Sequence, residues 1–585
     1  MESDDTTNSY TSEDDAEYSV LLDRREQLTD LLAESPYDLI RYLQRAVVYS
    51  NLGYPDLAAG DAYRALLLTD EARNEGFEYH DQAVQALESY SSSSKSLPEV
   101  LHHGALRQGS GDMVNGYGPQ GPEFHQEIAA VASVRCYQII SLSLLLCGCL
   151  SSAHTYYVDV AKLPEWGHVR REVYPWNTYE PDRFSEKSLS FLNRELSTMA
   201  PRCEVRVSEL PVLLDAASNT DDYEIIPTCN QLGVFAKEDI APGETVLNEY
   251  SLLTANNRLK DQLCDACGTE LPPLGAEVGP VSCSECYDTV FCDQFCHDQA
   301  QELYHPAVCE KDVDAIAKDP DAAESDSALH LLLLARLLAM SVQQEVHPLE
   351  LKNIRYIWGD FIPPRTNAIS ISPNAGPPPD WTLPFSFRYN VETPLHILEK
   401  MDIDIYQTLP QHDLWVLNTC FAKFRGTASA RHNTRDGRPE VAAVHPFWCL
   451  ANHDCNPNVT WEWGGRMKLW ARERKVVGNQ PGGIKAGEEI LNHYCDVDLP
   501  VQKRREWAEG SLGGWCMCKR CRDEIALSGP DGAATSGVDG AAPNGVDGAA
   551  PNGVDGSSTA DSMDWTASSK PNDVIMAGSD GPLRE

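Results

Sequence analysis

The stretch Leu450–Val459, LANHDCNPNV, holds one histidine, one cysteine and three asparagines, with Pro457 stiffening it. Asparagine and proline at this density mark a turn-rich loop. Cys455 sits three residues after Asn452, and what that thiol binds decides how the C-terminal half folds. Downstream, WCMCKRC supplies Cys516, Cys518 and Cys521. Three thiolates leave a tetrahedral zinc one ligand short. Cys455 is the nearest good candidate for the fourth, because Cys495 falls at the end of what reads as a strand.

A larger cluster stands upstream, CDACGTELPPLGAEVGPVSCSECYDTVFCDQFCHDQAQELYHPAVC, from Cys264 to Cys309. Its ligand-type residues are Cys264, Cys267, Cys283, Cys286, Cys292, Cys296, His305 and Cys309. Two C-x2-C pairs, one C-x3-C and one H-x3-C make two tetrahedral sites of four ligands. So short a segment, with so few large apolar side chains, cannot build an ordinary core. Metal must then supply much of its folding free energy. His297 fits none of the pairs and reads as a surface histidine. Seven cysteines here and four in the C-terminal set take eleven of the nineteen; the other eight are scattered singly.

With 585 residues, 42% of them hydrophobic, the chain has room for roughly two to four domains with sizeable cores. A net charge of -41 disfavours direct nucleic-acid binding and suits a basic partner such as a lysine-rich protein tail. Much of that charge also serves as solvated surface. The N-terminal MESDDTTNSYTSEDDAEY is acidic where a secretory signal needs basic and then apolar residues. The runs SLSLLLCGCL and LHLLLLARLLAM, the second carrying Arg336, read as buried helices too short to span a bilayer. These features point to a soluble intracellular protein, in cytoplasm, nucleus or both, whose cysteines serve metal and not disulfides.

Residues 1–20 read as a disordered acidic N-terminus, and 21–200 as a helical region. There LIRYLQRAVVYSNLGYPDLAAGDAYRALLL (Leu39–Leu68) shows two apolar helical faces broken at Gly53-Tyr54-Pro55. Ala46, Tyr49, Ala58 and Ala65 fall where a tetratricopeptide repeat (TPR) places its small and aromatic packing residues. A weaker echo runs from Ser143 to Leu163 with its turn near Gly148, and a Ser/Gly/Pro-rich loop spans Ser91–Pro122. A generic helical domain also accounts for this pattern. At the other end, 526–585 contains an eight-residue repeat of small residues with almost nothing to bury, and reads as a disordered tail.

Between these regions the periodicity turns to strands. VTWEWGGRMKLWARER reads as a hairpin with a two-residue turn at Gly464-Gly465. IKAGEEILNHY places a turn at Ala486-Gly487 before a short strand that delivers Tyr494. LGVFAKEDIAPGETVLNEY reads as a strand–turn–strand pair turning at Pro242-Gly243.

Five segments, LGVFAKEDIAPGE, the cysteine-rich insert, NHDCNPNV, GEEILNHY and CMCKRC, follow one another in an order that resembles one family. It is the SET-domain protein lysine methyltransferases, in their MYND-containing (SMYD-type) branch. The resemblance implies an α+β multidomain fold. A β-rich SET domain with a pseudoknot, in which the C-terminal segment threads a loop, would carry an inserted MYND zinc finger and a helical insert. An α-helical repeat-like region would precede it. The implied parts are the first SET segment at 201–263, the finger at 264–309, the insert at 310–444, the C-terminal SET core at 445–500 and the post-SET zinc segment at 501–525. The finger's cross-braced arrangement implies that Cys264, Cys267, Cys292 and Cys296 hold one zinc, and Cys283, Cys286, His305 and Cys309 the other. With Cys455, Cys516, Cys518 and Cys521 this makes about three structural zinc ions. A MYND finger further implies a proline-rich peptide partner.

Carried over by position, Asn452 resembles the residue whose amide binds S-adenosylmethionine, and His453 contributes through its backbone. Gly233 matches the second glycine of the family's cofactor turn, with Gln231 in place of the first. Tyr494 matches the catalytic tyrosine, and Trp515 an aromatic that stacks on adenine. His432 and His445 read as non-catalytic. The implied activity is S-adenosylmethionine-dependent lysine N-methylation of a histone or other basic protein. The residue types suit that chemistry, because the cofactor carries the methyl group and the protein supplies alignment and desolvation. The alternative is a scaffold that binds partners through its TPR-like region and MYND finger, with a vestigial SET domain. Gln231 favours the scaffold; Asn452, Gly487, Glu488 and Tyr494 favour the enzyme.

Overall fold

The computed structural model describes residues 10–93, 98–102, 124–155, 166–170, 173–213, 228–258, 263–273, 275–313, 316–318, 320–321, 324–358, 382–433, 437–512 and 514–528. The expected tail from 529 onward and most of the Ser91–Pro122 loop lie outside them. The chain divides into two compact units, one of residues 1–181, 252–430 and 438–444, the other of residues 182–251, 431–437 and 445–585.

The first unit opens with the helices Tyr10–Glu34, Leu39–Asn51, Pro55–Arg73, His80–Ser93 and Phe124–Cys147. Asp38 caps the second by accepting the N–H groups of Ile40 and Arg41. Gly53, at φ +82°, turns the chain, and Pro55 takes the first turn of the next helix, where its missing N–H costs nothing. The first helix starts at Tyr10, which corrects the disordered reading of 1–20 for its second half. Leu28 and Leu32 are fully buried and anchor it.

The N-terminal helices, the cysteine-rich segment and the insert form one unit. Buried Arg45 donates twice to Asp61, at 2.7 Å each, and lies 3.1 Å from Asp413, which caps the insert helix Leu414–Thr427. The central insert helix, Ser325–Gln343, is apolar nearly all round. Among the described residues, His125–Cys147 and Ser325–Gln343 are long and apolar enough to cross a membrane. The run Leu329–Met340 lies inside the second of these helices, whereas Ser141–Leu150 begins in the first and runs past its end at Cys147, where Gly148, at φ +86°, turns the chain. Ser325–Gln343 has 78% of its apolar window buried within the protein, as a core helix does.

In the second unit the strand Cys203–Pro211 pairs antiparallel with Thr228–Ala236, setting Arg206 opposite Gly233. Thr245–Glu249, Met467–Ala471 and Val459–Trp463 form a three-stranded sheet with Met467–Ala471 in the centre. The strands before and after Pro242-Gly243 therefore do not pair with each other. The first finds a nine-residue partner in Cys203–Pro211, and Gly243, at φ +77°, sends the chain into the other sheet. In the 459–471 hairpin Trp463 lies opposite Met467, so the loop is Gly464-Gly465-Arg466 and not two residues. Gly465 supplies the positive φ, +81°, that a three-residue hairpin loop requires. Residues 484–494 form single bridges instead of a continuous strand, at Ile240–Ile484, Phe235–Glu489 and His453–Asn492.

Candidate functional site

A tetrahedral zinc with Zn–S of about 2.3 Å needs sulfurs about 3.8 Å apart along each edge. The donor sets meet that requirement. Cys264, Cys267, Cys292 and Cys296 form one group, Cys283, Cys286, His305 and Cys309 a second, and Cys455, Cys516, Cys518 and Cys521 a third. Within each, every donor atom lies within 4.8 Å of the others. Sulfur separations are 3.8 Å for Cys267–Cys292 and Cys283–Cys309, 3.5 Å for Cys292–Cys296, and 3.9 and 3.4 Å from Cys455 to Cys516 and Cys521. His305 Nε2 lies 3.6 Å from the Cys286 sulfur. These spacings fit a tetrahedral cation and are far too long for disulfides. Each group can hold zinc. His297 belongs to none of them; it meets Asp298 at 2.9 Å and turns its ring edge toward Phe291.

Local chemistry places these ligands. Asp293 caps the helix Gln294–Leu303 by accepting the Cys296 N–H at 2.8 Å, fixing that thiol at the helix start. Arg336 donates to the Asp265 carboxylate at 2.9 Å and to its carbonyl at 3.0 Å, and stacks 3.7 Å from the Tyr304 ring. Burial pushes the Asp265 carboxyl up, but Arg336 and the Tyr304 hydroxyl outweigh it and hold it below the usual value. The backbone between Cys264 and Cys267 is thereby tied to the core helix.

The third group has a neighbour that sequence spacing missed. Cys495 lies with Cys455 and His453 in a further set of donor atoms within 4.8 Å. Among the described residues it follows no strand; the chain after the Asn492 bridge to His453 brings it to Cys455. Cys455 is held well below the ordinary thiol value, chiefly by hydrogen bonds from Cys495 and Cys516. Buried Arg504 directs a guanidinium nitrogen to the Cys521 sulfur at 3.8 Å and offsets the charge that four thiolates carry.

Next to this group Asn452 donates its amide to Glu489 at 2.7 Å and to the Leu232 carbonyl at 3.0 Å. Glu489 in turn accepts the Ser208 hydroxyl at 2.8 Å. A Cβ on Gly233 would meet the Glu489 carboxylate and crowd the Asn452 amide, so glycine leaves the room in which these two groups pair. Gln231 accepts from Arg183 at 2.7 Å. Asn492 is fully buried, and neither polar atom of its side chain has a hydrogen-bond partner among the described residues. Such an orphan calls for a ligand or a water.

The Tyr494 hydroxyl donates to the Ala451 carbonyl at 2.9 Å, and its ring lies 6.2 Å from Trp448 and 5.3 Å from His453. Burial, with Arg472 nearby, pushes His493 down to about 4, so it is neutral. Trp515 is half-buried under the Arg505 guanidinium, 5.2 Å from its ring. His445 is buried against Trp463 and pushed down to about 3 by that burial. Gly233, Asn452, His453 and Tyr494 thus gather around the crossing of residues 451–455 with 489–495.

Residues 231–495 match the family model of the SET domain. The chain carries a SET domain. A potential protein lysine methyltransferase of Saccharomyces cerevisiae, SET6, is 36% identical over 83 residues, 14% of this chain and 20% of that protein. A histone-lysine N-methyltransferase of Schizosaccharomyces pombe, set5, is 34% identical over 73 residues, 12% and 21% of the two chains. The N-lysine methyltransferase SMYD2 of Homo sapiens is 32% identical over 80 residues, 14% and 17%. The chain spans about a fifth of the length of the curated relatives it matches. Glu489, inside the matched span, and Ser208, before it, do not stand out in the sequence. A glutamate beside a turn reads as solvated charge until its partner is known.

Proposed function

We propose that this protein is an S-adenosylmethionine-dependent protein lysine N-methyltransferase. The observation that carries the reading is the pinned Asn452 amide beside Gly233, on the same loop whose Ala451 carbonyl fixes the Tyr494 hydroxyl. When bound, S-adenosylmethionine supplies an electrophilic sulfonium methyl group. Gly233, the Asn452 side chain and the His453 backbone hold the cofactor, and Trp515 offers an aromatic face. The bond from the Tyr494 hydroxyl to the Ala451 carbonyl fixes the orientation of that phenol, and a phenol so held aligns the lysine amine with the methyl group. A free lysine titrates near ~10.4, so dry aromatic walls such as Trp448 favour the neutral, nucleophilic amine.

The finer reading is a SMYD-type enzyme with a MYND finger, a TPR-like region, a pseudoknotted SET core and about three structural zincs. The three four-donor groups support closed, structural sites, since no position is left open for substrate. The substrate is a lysine-containing basic protein, histone included, supported by the -41 charge. The finger takes a proline-rich peptide. The protein works in the cytoplasm, the nucleus or both.

Radiolabelled methyl transfer to histones and to a cell extract tests the reading. The wild type transfers label, and Tyr494→Phe lowers the rate by ~100-fold or more while zinc content is unchanged. No transfer, together with no cofactor binding by calorimetry, overturns it and leaves the scaffold.

A further inference from the structure

We infer that the imidazole of His453, and not only its backbone, is a positioning group that joins the C-terminal metal centre to Tyr494. The inference rests on the functional reading above for the role of Tyr494, but its geometry stands apart from that reading. The backbone N–H of Tyr494 points at His453 Nδ1, 3.0 Å away. An amide N–H can only donate, so Nδ1 presents a lone pair, and the neutral ring carries its proton on Nε2. Nε2 in turn lies 3.4 Å from the Cys455 sulfur, within reach of an N–H···S hydrogen bond. One ring therefore bridges a metal-ligand thiolate and the backbone of the proposed catalytic residue.

The same geometry decides against a second metal at His453, Cys455 and Cys495, although their donor atoms lie within 4.8 Å of one another. A ligating Nε2 needs its lone pair, and the Tyr494 N–H has already assigned the proton there. His453 is a donor to the metal's ligand and not a ligand. Such a donor fixes the thiolate's orientation and withdraws part of its charge. Main-chain bonds bracket the ring: Asn492 N–H donates to the Asn452 carbonyl and Asp454 N–H to the Asn492 carbonyl, both at 2.8 Å. With the backbone paired on either side, the imidazole transmits the position of Cys455 to Tyr494.

Two substitutions divide the ring's two bonds. His453→Asn keeps an acceptor near the place of Nδ1 and loses the donor to sulfur. His453→Gln keeps a donor reaching toward the place of Nε2 and loses the acceptor. In the full-length zinc protein, long-range proton–nitrogen correlation on labelled histidine should show His453 protonated at Nε2 and bare at Nδ1. Zinc transfer from the third centre to a chromophoric chelator should quicken by about 10-fold in His453→Asn and stay near wild type in His453→Gln. His453→Gln should lower kcat by about 10-fold with the cofactor KM little changed and zinc retained. A proton on Nδ1 in the wild type overturns the inference even if both variants fail to fold. Unchanged zinc release in a folded His453→Asn also overturns it. If the wild type transfers no methyl group, the enzyme reading fails, while the tautomer and the zinc rates still decide the role of His453.

Discussion

Asn458 donates its amide to the Glu489 carbonyl at 2.7 Å and accepts the Leu491 N–H at 2.8 Å, so one side chain stands in for a strand partner. This clamp matters because residues 484–494 form only single bridges and have no ladder of their own. It also sets Glu489, which holds the Asn452 amide. Asn458→Ala leaves one backbone donor and one acceptor without partners, and should cost about 2–3 kcal/mol, read as a lower denaturant midpoint with unchanged slope. Its effect on cofactor binding should exceed that of Asn456→Ala, whose side chain only accepts Val477 N–H at 3.1 Å near the surface. Equal effects would mean that the clamp does not set the Glu489–Asn452 pair. Asn452 and Tyr494 stood out in the sequence because they lie in short motifs with a fixed order. Asn458 and Glu489 lie in the same motifs yet carry no role that the sequence shows, because their work is done through partners more than thirty residues away.

At the scale of elements, Glu249 ends the strand Thr245–Glu249 and accepts the backbone N–H groups of Phe447 and Trp448 at 3.1 and 2.8 Å. It thereby holds the turn that leads into Asn452. Burial pushes its carboxyl from 4.5 up to about 7, and the two N–H donors only partly oppose the shift. The folded state thus keeps this proton where the unfolded chain has lost it. The resulting stability is complete below about 4.5, falls as pH rises toward about 7 and is gone above it. Between pH 5 and 7.5 the wild type should lose melting temperature relative to Glu249→Gln, and parallel curves would refute the buried carboxyl. The third metal group is a second link between elements, because Cys455 comes from the loop and Cys516, Cys518 and Cys521 from the segment before and within the helix Lys519–Ser528. Cys455→Ser should lower bound zinc by about one ion per chain and weaken cofactor binding with it. Metal loss with untouched cofactor affinity would separate the two. Ligand arithmetic made Cys455 legible before any coordinates. Strand pairing was not, because a turn at Pro242-Gly243 looks the same whether its flanks pair or part.

For the whole molecule, local patterns marked out the clusters of donor side chains and the SET domain, while the division into units stayed hidden. Each unit is assembled from separated stretches of chain, and contacts such as Arg45 with Asp413 join residues hundreds of positions apart. No period or motif encodes such a pairing. Charge, by contrast, is additive and needs no fold to be read: 88 acidic against 47 basic residues give -41. A field of that sign draws a lysine-rich substrate and is screened over about 10 Å at 0.1 M salt, against about 30 Å at 0.01 M. For an enzyme that methylates basic proteins, the KM for a lysine-rich peptide should therefore rise by about tenfold between those two salt concentrations. The KM for the proposed cofactor, whose recognition at Asn452 and Gly233 would rest on short-range contacts, should move far less. Steady-state kinetics at fixed pH separates the two constants. A peptide KM that ignores salt would mean that the acidic residues face away from the substrate's path, and that recognition rests on the residues flanking the lysine instead.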